Sequence, residues 1–237
     1  MIRNSNSFLK VLLLAVALPA VDLLVLASGL QPVQAQTAPS AREAAAYDGL
    51  HLAAFRGDTA AAAKLIAAKA DIEARDSSGR TPVIVAAHQS HEAIVRLLME
   101  AGAYMNAMDY QAYDAVTIAA VANDLPMLDL VLTLDASAAN ITSPYDGTAL
   151  IAAAHLGHDK IVKRLIEAKA PLDHVNNLKW TALIEAVVLG DGGPAHTETV
   201  RLLLEAGADR TIGDSQGITP LEHAKSRHDS EMVELLK

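Results

Sequence analysis

From Tyr47 onward, apolar residues gather into short blocks at helical spacing, and the blocks come in pairs. The first member is seen in Thr81-Pro82-Val83-Ile84-Val85-Ala86-Ala87, and the second in Ile94-Val95-Arg96-Leu97-Leu98-Met99-Glu100-Ala101-Gly102-Ala103. Thr81 is placed to cap a helix, and Pro82 sits in the first turn, where a missing amide proton costs nothing. Val83, Ala86 and Ala87 make the packing face of that helix. The second block carries Ile94, Val95, Leu97 and Leu98 on a stripe too wide to be covered within one pair, so neighbouring pairs must stack to cover it. Gly102 closes the second helix, because glycine accepts the left-handed backbone that satisfies the last carbonyls.

Matches to the first block begin at Asp48, Thr81, Asp114, Thr148, Thr181 and Thr219, at intervals of 33, 33, 34, 33 and 38 residues. This predicts an all-α solenoid of about six helix-turn-helix units near 48–80, 81–113, 114–147, 148–180, 181–218 and 219–237. At this period the sequence resembles the ankyrin repeat family, whose unit is a β-turn finger followed by two antiparallel helices. The resemblance covers Tyr47 to Lys237. Lys69, Asp135 and Lys169 stand where Gly102 and Gly207 end their helices, each costing up to about 1 kcal/mol if the left-handed geometry persists. The third unit departs most, lacking the Thr-Pro start and carrying one extra residue before Thr148, and is expected to be the least stable. The fifth holds a five-residue expansion around Leu189 to His196, read as a loop extension or else as a contact loop. Arg227, His228, Glu231 and Glu234 make the final unit polar, as a terminal cap must be.

The amino terminus has a different pattern. Arg3 and Lys10 precede an apolar run from Val11 to Ala20, and Val33-Gln34-Ala35 offers small residues before a cut at Gln36. Residues 1–35 are therefore expected to be an export signal, 36–46 a linker that is helical near Arg42 to Ala46, and 47–237 the repeat domain, delivered to the periplasm or secreted. A second apolar run, Leu23 to Leu30, follows Asp22 and leaves open an uncleaved inner-membrane anchor with the repeats facing outward. Only in that case is the membrane a partner.

Composition narrows the function. With 51% hydrophobic and 20% charged residues, the chain is not disordered throughout. It has 19 basic and 28 acidic residues, and loss of Arg3, Lys10 and Asp22 with residues 1–35 leaves 17 and 27, which disfavours nucleic acid as a partner. Without cysteine there is no disulfide, thiolate metal site or cysteine nucleophile. His88 with His91 and His155 with His158 form two His-x-x-His pairs that suggest a metal-dependent hydrolase. Both pairs, however, recur at the same place in their units, and His91 and His158 match a histidine common in the ankyrin pattern. Structural hydrogen bonding is the favoured reading, and for His51 a packing role between repeats. Asp76, Asp109, Asp209 and Asp214 fall at repeated turns, where they hold backbone amides. No catalytic residue, metal or cofactor is assigned.

The few aromatic residues carry more information. In the repeat frame Tyr47, Arg80, Tyr113, Gly147, Trp180 and Ile218 immediately precede the first helix. In the resembled family this position, the two residues after the turn aspartate, and the exposed end of the first helix form the variable recognition surface. The resemblance therefore implies a binding face for a protein partner made by Arg80, Tyr110, Tyr113, Tyr145, Leu178 and Trp180 on the fingers, with His88 and His155 at the helix ends. Tyrosine and tryptophan suit that role because each buries a large area and keeps one polar atom. The expected product is a non-enzymatic scaffold that engages its partner around fingers two to four.

Overall fold

The computed structural model of the protein describes residues 38–237, so the export-signal reading of residues 1–35 lies outside the described residues. Among the described residues there are thirteen helices and no strand. A short helix, α1 (Ala41–Ala45), precedes six helix pairs. They are α2 (Gly49–Arg56) with α3 (Thr59–Ala67), α4 (Pro82–His88) with α5 (Glu92–Glu100), and α6 (Ala115–Val121) with α7 (Leu125–Thr133). Next come α8 (Ala149–His155) with α9 (Asp159–Glu167), α10 (Ala182–Val188) with α11 (Pro194–Glu205), and α12 (Pro220–Ser226) with α13 (Ser230–Leu236). The even-numbered helices stack on one another as an inner row, and their partners stack as an outer row.

Alanine sets the spacing of the inner row. Ala53, Ala54, Ala86, Ala87, Ala119, Ala120, Ala153, Ala154 and Ala186 are all buried at corresponding positions, which lets successive helices pack backbone against backbone. The outer helices add Ile94, Leu98, Met127, Val131, Ile161, Leu165, Val200 and Leu203 to the same core. Inner-helix starts are capped by side chains in most units. Asp114, Thr148, Thr181 and Thr219 accept from the amides of Thr117, Ile151, Ile184 and Glu222. Thr81 departs from expectation: it holds the extended cap conformation, but its buried hydroxyl finds no partner, so Pro82 alone favours that start.

The left-handed geometry does persist where glycine is replaced. Lys69, Asp135 and Lys169 have φ of 62°, 70° and 64°, alongside 93° and 96° at Gly102 and Gly207. The third unit compensates for its missing threonine with a buried polar network. Asp114 also accepts from Asn140 Nδ2 at 2.8 Å, and Thr117 donates to Thr142 Oγ1 at 3.0 Å. The insertion in the fifth unit is not a simple loop. Pro194 to His196 extend α11 at its start, and His196 sits with Nε2 3.0 Å from the carbonyl of His155 and Nδ1 3.0 Å from Asp191 Oδ1. Arg227 donates to the carbonyls of Val188 and Gly190, both at 2.7 Å, which fastens the remaining loop residues to the last unit.

Asp135→Gly should relieve the left-handed strain at an exposed position and raise stability by about 0.5–1 kcal/mol. The denaturant midpoint should increase with an unchanged m-value.

Candidate partner-binding face

Five fingers link consecutive units, and four of them are closed by a polar residue that accepts backbone amides two and four residues ahead. Asp76 accepts from Ser78 and Arg80, Asp109 from Gln111 and Tyr113, Asn176 from Leu178 and Trp180, and Asp214 from Gln216 and Ile218. In finger three the extra residue is taken up by a Thr142–Gly147 bridge. Backbone hydrogen bonds then join finger to finger. Tyr110 donates to Ser78 O at 3.0 Å, Ser143 to Ala112 O at 2.9 Å, and Asn177 to Tyr145 O at 2.9 Å. The middle bond uses shifted residues because Pro144, at the donor position, has no N–H.

This row sorts the predicted aromatics. Tyr110 is 71% exposed, with its ring laid over Gly79 so closely that a Cβ there would lie 2.4 Å from ring atom Cδ1. Tyr145, Leu178 and Trp180 are partly buried on the next two fingers. Arg80 and Tyr113 correct the expected binding face: they are only 2% and 5% exposed. In these two units the residue just before the inner helix turns into the stack, so these two side chains work inside it. Arg80 donates to Asp76 Oδ2 at 2.7 Å and pairs with Glu43 on α1. Tyr47 donates to the same Asp76 oxygen at 2.6 Å, and Ser78 to Glu43 at 2.8 Å. Residues 40–46, expected as a linker, thus fasten the first finger through Glu43. Burial pushes the Tyr113 phenol up, with Asp109 adding to the shift.

The histidines divide in the same way. His91 Nδ1 lies 2.9 Å from Ala54 O, and His158 Nδ1 3.0 Å from Ala120 O, each tying an outer-helix start to the preceding inner helix. His51 Nε2 lies 2.9 Å from Arg80 O, as a packing role requires. Burial, helped by Arg80, pushes the half-buried His88 down to about 4, which keeps its ring neutral near pH 7. His155 lies on the surface side of Glu185, with Nδ1 3.1 Å from Oε2, while Asn176 donates to Oε1 at 3.2 Å. Glu185 is 5% exposed and escaped sequence reasoning, although the register signals it: the corresponding positions hold Val85 and Ile118. Exposed Tyr104 was missed for the same reason, at a place where other units carry Asp71 and Asp209. Among the described residues no three metal-ligating side chains converge.

A stack of paired helices joined by hydrogen-bonded fingers defines an ankyrin-repeat solenoid. The family model for ankyrin repeats (three copies) matches residues 12–109, 50–143 and 116–212, and the chain belongs to this family. It is 34% identical over 186 residues to the putative ankyrin repeat protein YahD of Escherichia coli K12, covering 78% of this chain and 92% of that protein. An ankyrin repeat domain from Acinetobacter baumannii AYE superposes with a TM-score of 0.75 at 40% identity, over 79% of this chain and 95% of that one. A chain in the complex of the Bdellovibrio bacteriovorus predatory endopeptidase Bd0816 with immunity protein Bd3460 shares the fold, with a TM-score of 0.68 at 23% identity, over 80% and 97% of the two chains. Ankyrin repeats are generally protein–protein interaction scaffolds, and the fold is typically non-enzymatic.

The first-finger network makes a pH prediction. Hydrogen bonds from the side chain and backbone of Ser40, then from Ser78, and the charge of Arg80 outweigh burial and hold the Glu43 carboxyl at about 2, against 4.5 for the free group. A depressed carboxyl stabilises fully above the unfolded value, and that contribution is lost as pH falls through the folded one. Glu43→Gln should therefore lower the urea midpoint at neutral pH, and its deficit relative to the parent should narrow from about pH 5 toward about pH 2.

Proposed function

We propose that the protein is an exported scaffold that holds a folded protein partner against its finger and inner-helix face. The observation that carries this reading is the exposed Tyr110 on a rigid finger, followed along the row by partly exposed Tyr145, Leu178 and Trp180. Leu156, at the end of α8, adds an exposed apolar side chain. Aromatic groups already held by backbone hydrogen bonds bind with little loss of freedom, and such residues dominate interface energetics. The opposite, outer-helix surface is lined by charges such as Glu92, Arg96, Glu100, Lys160 and Lys163. Complex formation in the Bdellovibrio structure is an example of a protein complex that contains this fold, and binding by the present chain is inferred from its own surface.

Export rests on the basic start, the apolar run and the small residues before Gln36. A cut there would leave the whole described domain intact, since it begins at Ala38. The retained-anchor alternative concerns the same residues. Intact mass of the protein recovered from its native compartment distinguishes them: a chain starting at Gln36 supports the cleaved form, and a full-length mass supports the anchor.

A photocrosslinking residue at position 110 should trap one protein species in intact cells, whereas the same residue at position 96 on the outer row should not. Tyr145→Ala should weaken that capture by about 2 kcal/mol, roughly thirtyfold in affinity, with helical content unchanged. Equal trapping from both positions would refute the finger face.

A further inference from the structure

The finger row has a break. Where fingers one to two and three to four are joined, the residue after the turn residue donates its amide to the carbonyl of the residue two before the helix-leading position of the preceding finger. Those bonds are Tyr110 to Ser78 and Asn177 to Tyr145. Fingers two and three are also joined, with the shifted pair that Pro144 imposes. The same rule pairs Ser215 N–H with Leu178 C=O between fingers four and five, and that bond is not made: among the described residues no backbone hydrogen bond joins Asn176–Trp180 to Asp214–Ile218. The bases of these two units remain connected, since the Asp209 amide donates to Asp173 Oδ1 at 2.8 Å. Finger five is also firm in itself, with Asp214 accepting from Gln216 and Ile218 and paired with His223 at 2.9 Å. The two fingers are thus joined at their bases and unpaired at their tips.

Apolar surface is left accessible on finger four. Arg80 and Tyr113 hold the same register position beside joined fingers and are buried, whereas Trp180 keeps part of its surface, as does Leu178. Asn177, Lys179, Ser215 and Gln216 around the opening are exposed. The Leu178 carbonyl and the Ser215 amide therefore have no backbone partner in a row that elsewhere pairs through its backbone, and Trp180 and Leu178 on the same finger keep part of their apolar surface exposed. Water satisfies such groups in the free protein, but a polypeptide satisfies them while also covering the apolar surface.

We infer that the junction between fingers four and five receives one extended segment of the protein partner. The segment's backbone continues the finger row by pairing with Leu178 C=O and Ser215 N–H, and one of its apolar side chains packs on Trp180 and Leu178. This inference rests on the reading of the finger face as the binding surface and names the part of it that takes a peptide in extended form. The occupant is a strand because the unused groups are backbone groups in a row of backbone pairs. A helix, whose own amides and carbonyls are consumed internally, cannot supply the missing bond.

The chain offers a direct probe, since Trp180 is its one tryptophan and it contains no cysteine. A phage-displayed random dodecapeptide library is selected on the purified protein, and the enriched peptides are synthesised. Their binding is measured on the Asn177→Cys, Ser215→Cys double variant before and after its two thiols, at the same register position of adjacent fingers, are joined by a short bis-maleimide. Circular dichroism checks that both forms are folded. The expected result is that peptides shift Trp180 emission to the blue on binding the open form and bind about tenfold or more weakly once the fingers are joined. Equal binding to both forms, unchanged Trp180 emission, or failure to enrich any peptide overturns the inference. Peptides that leave Trp180 emission unchanged but are lost on Tyr110→Ala would overturn the slot while preserving the finger face as a binding surface.

Discussion

The stack depends on a hydrogen bond by which one repeat holds a backbone carbonyl of its neighbour. Each inner helix is only about two turns long, and neither helix of a pair can cover its own apolar stripe. Burial therefore counts only when the next unit docks in register. Imidazoles fix that register. His91 and His158 reach the carbonyls of Ala54 and Ala120, and His51 reaches Arg80 from the other direction. His196 does the same for His155 after the insertion has displaced its backbone. Each bond contributes only about 1 kcal/mol net, but a missing one would leave a half-buried polar group at the seam between two alanine-lined helices. At the corresponding place in units one, three and six, Asp58, Asp124 and Asp229 instead cap their own outer helices.

Most of this was readable in the chain because the repeat period turns one position into six comparable ones. The helix pairs, the left-handed ends at Lys69, Asp135 and Lys169, and the structural use of His91 and His158 followed from the comparison. The errors came where a repeated position has two faces. Arg80 and Tyr113 were placed on the fingertips because they precede the helix, yet in these two units that position turns inward, whereas Trp180 at the same position keeps part of its surface. Thr81 has the residue type and backbone of a cap without the bond. The insertion near Leu189 contains glycine and proline, which suggested a loop, but proline also suits the first turn of a helix, and Pro194 begins one.

The candidate face is correspondingly narrower than residue type alone suggested. Finger one is fastened by Glu43, Tyr47, Asp76 and Arg80 to the amino-terminal helix and offers little free surface. Fingers two to four carry the accessible aromatics on a backbone made rigid by its neighbours. The acidic excess of the chain does not define this face, where Asp109, Asp76 and Asp214 are occupied with turn amides. Apolar contact and backbone pairing are what the fingers have left to offer. The buried Glu185, held by His155 and Asn176, connects two inner helices to finger four and so supports the position of Trp180.

Backbone pairing along the finger row is the central claim, because it both fixes the aromatics and locates the break. Amide hydrogen exchange of the purified protein, resolved residue by residue, tests it. The account predicts slow exchange for Tyr110, Ser143 and Asn177, whose amides join successive fingers, and fast exchange for Ser215. Protection of Ser215 equal to the other three, or fast exchange at Tyr110 and Asn177, would contradict it.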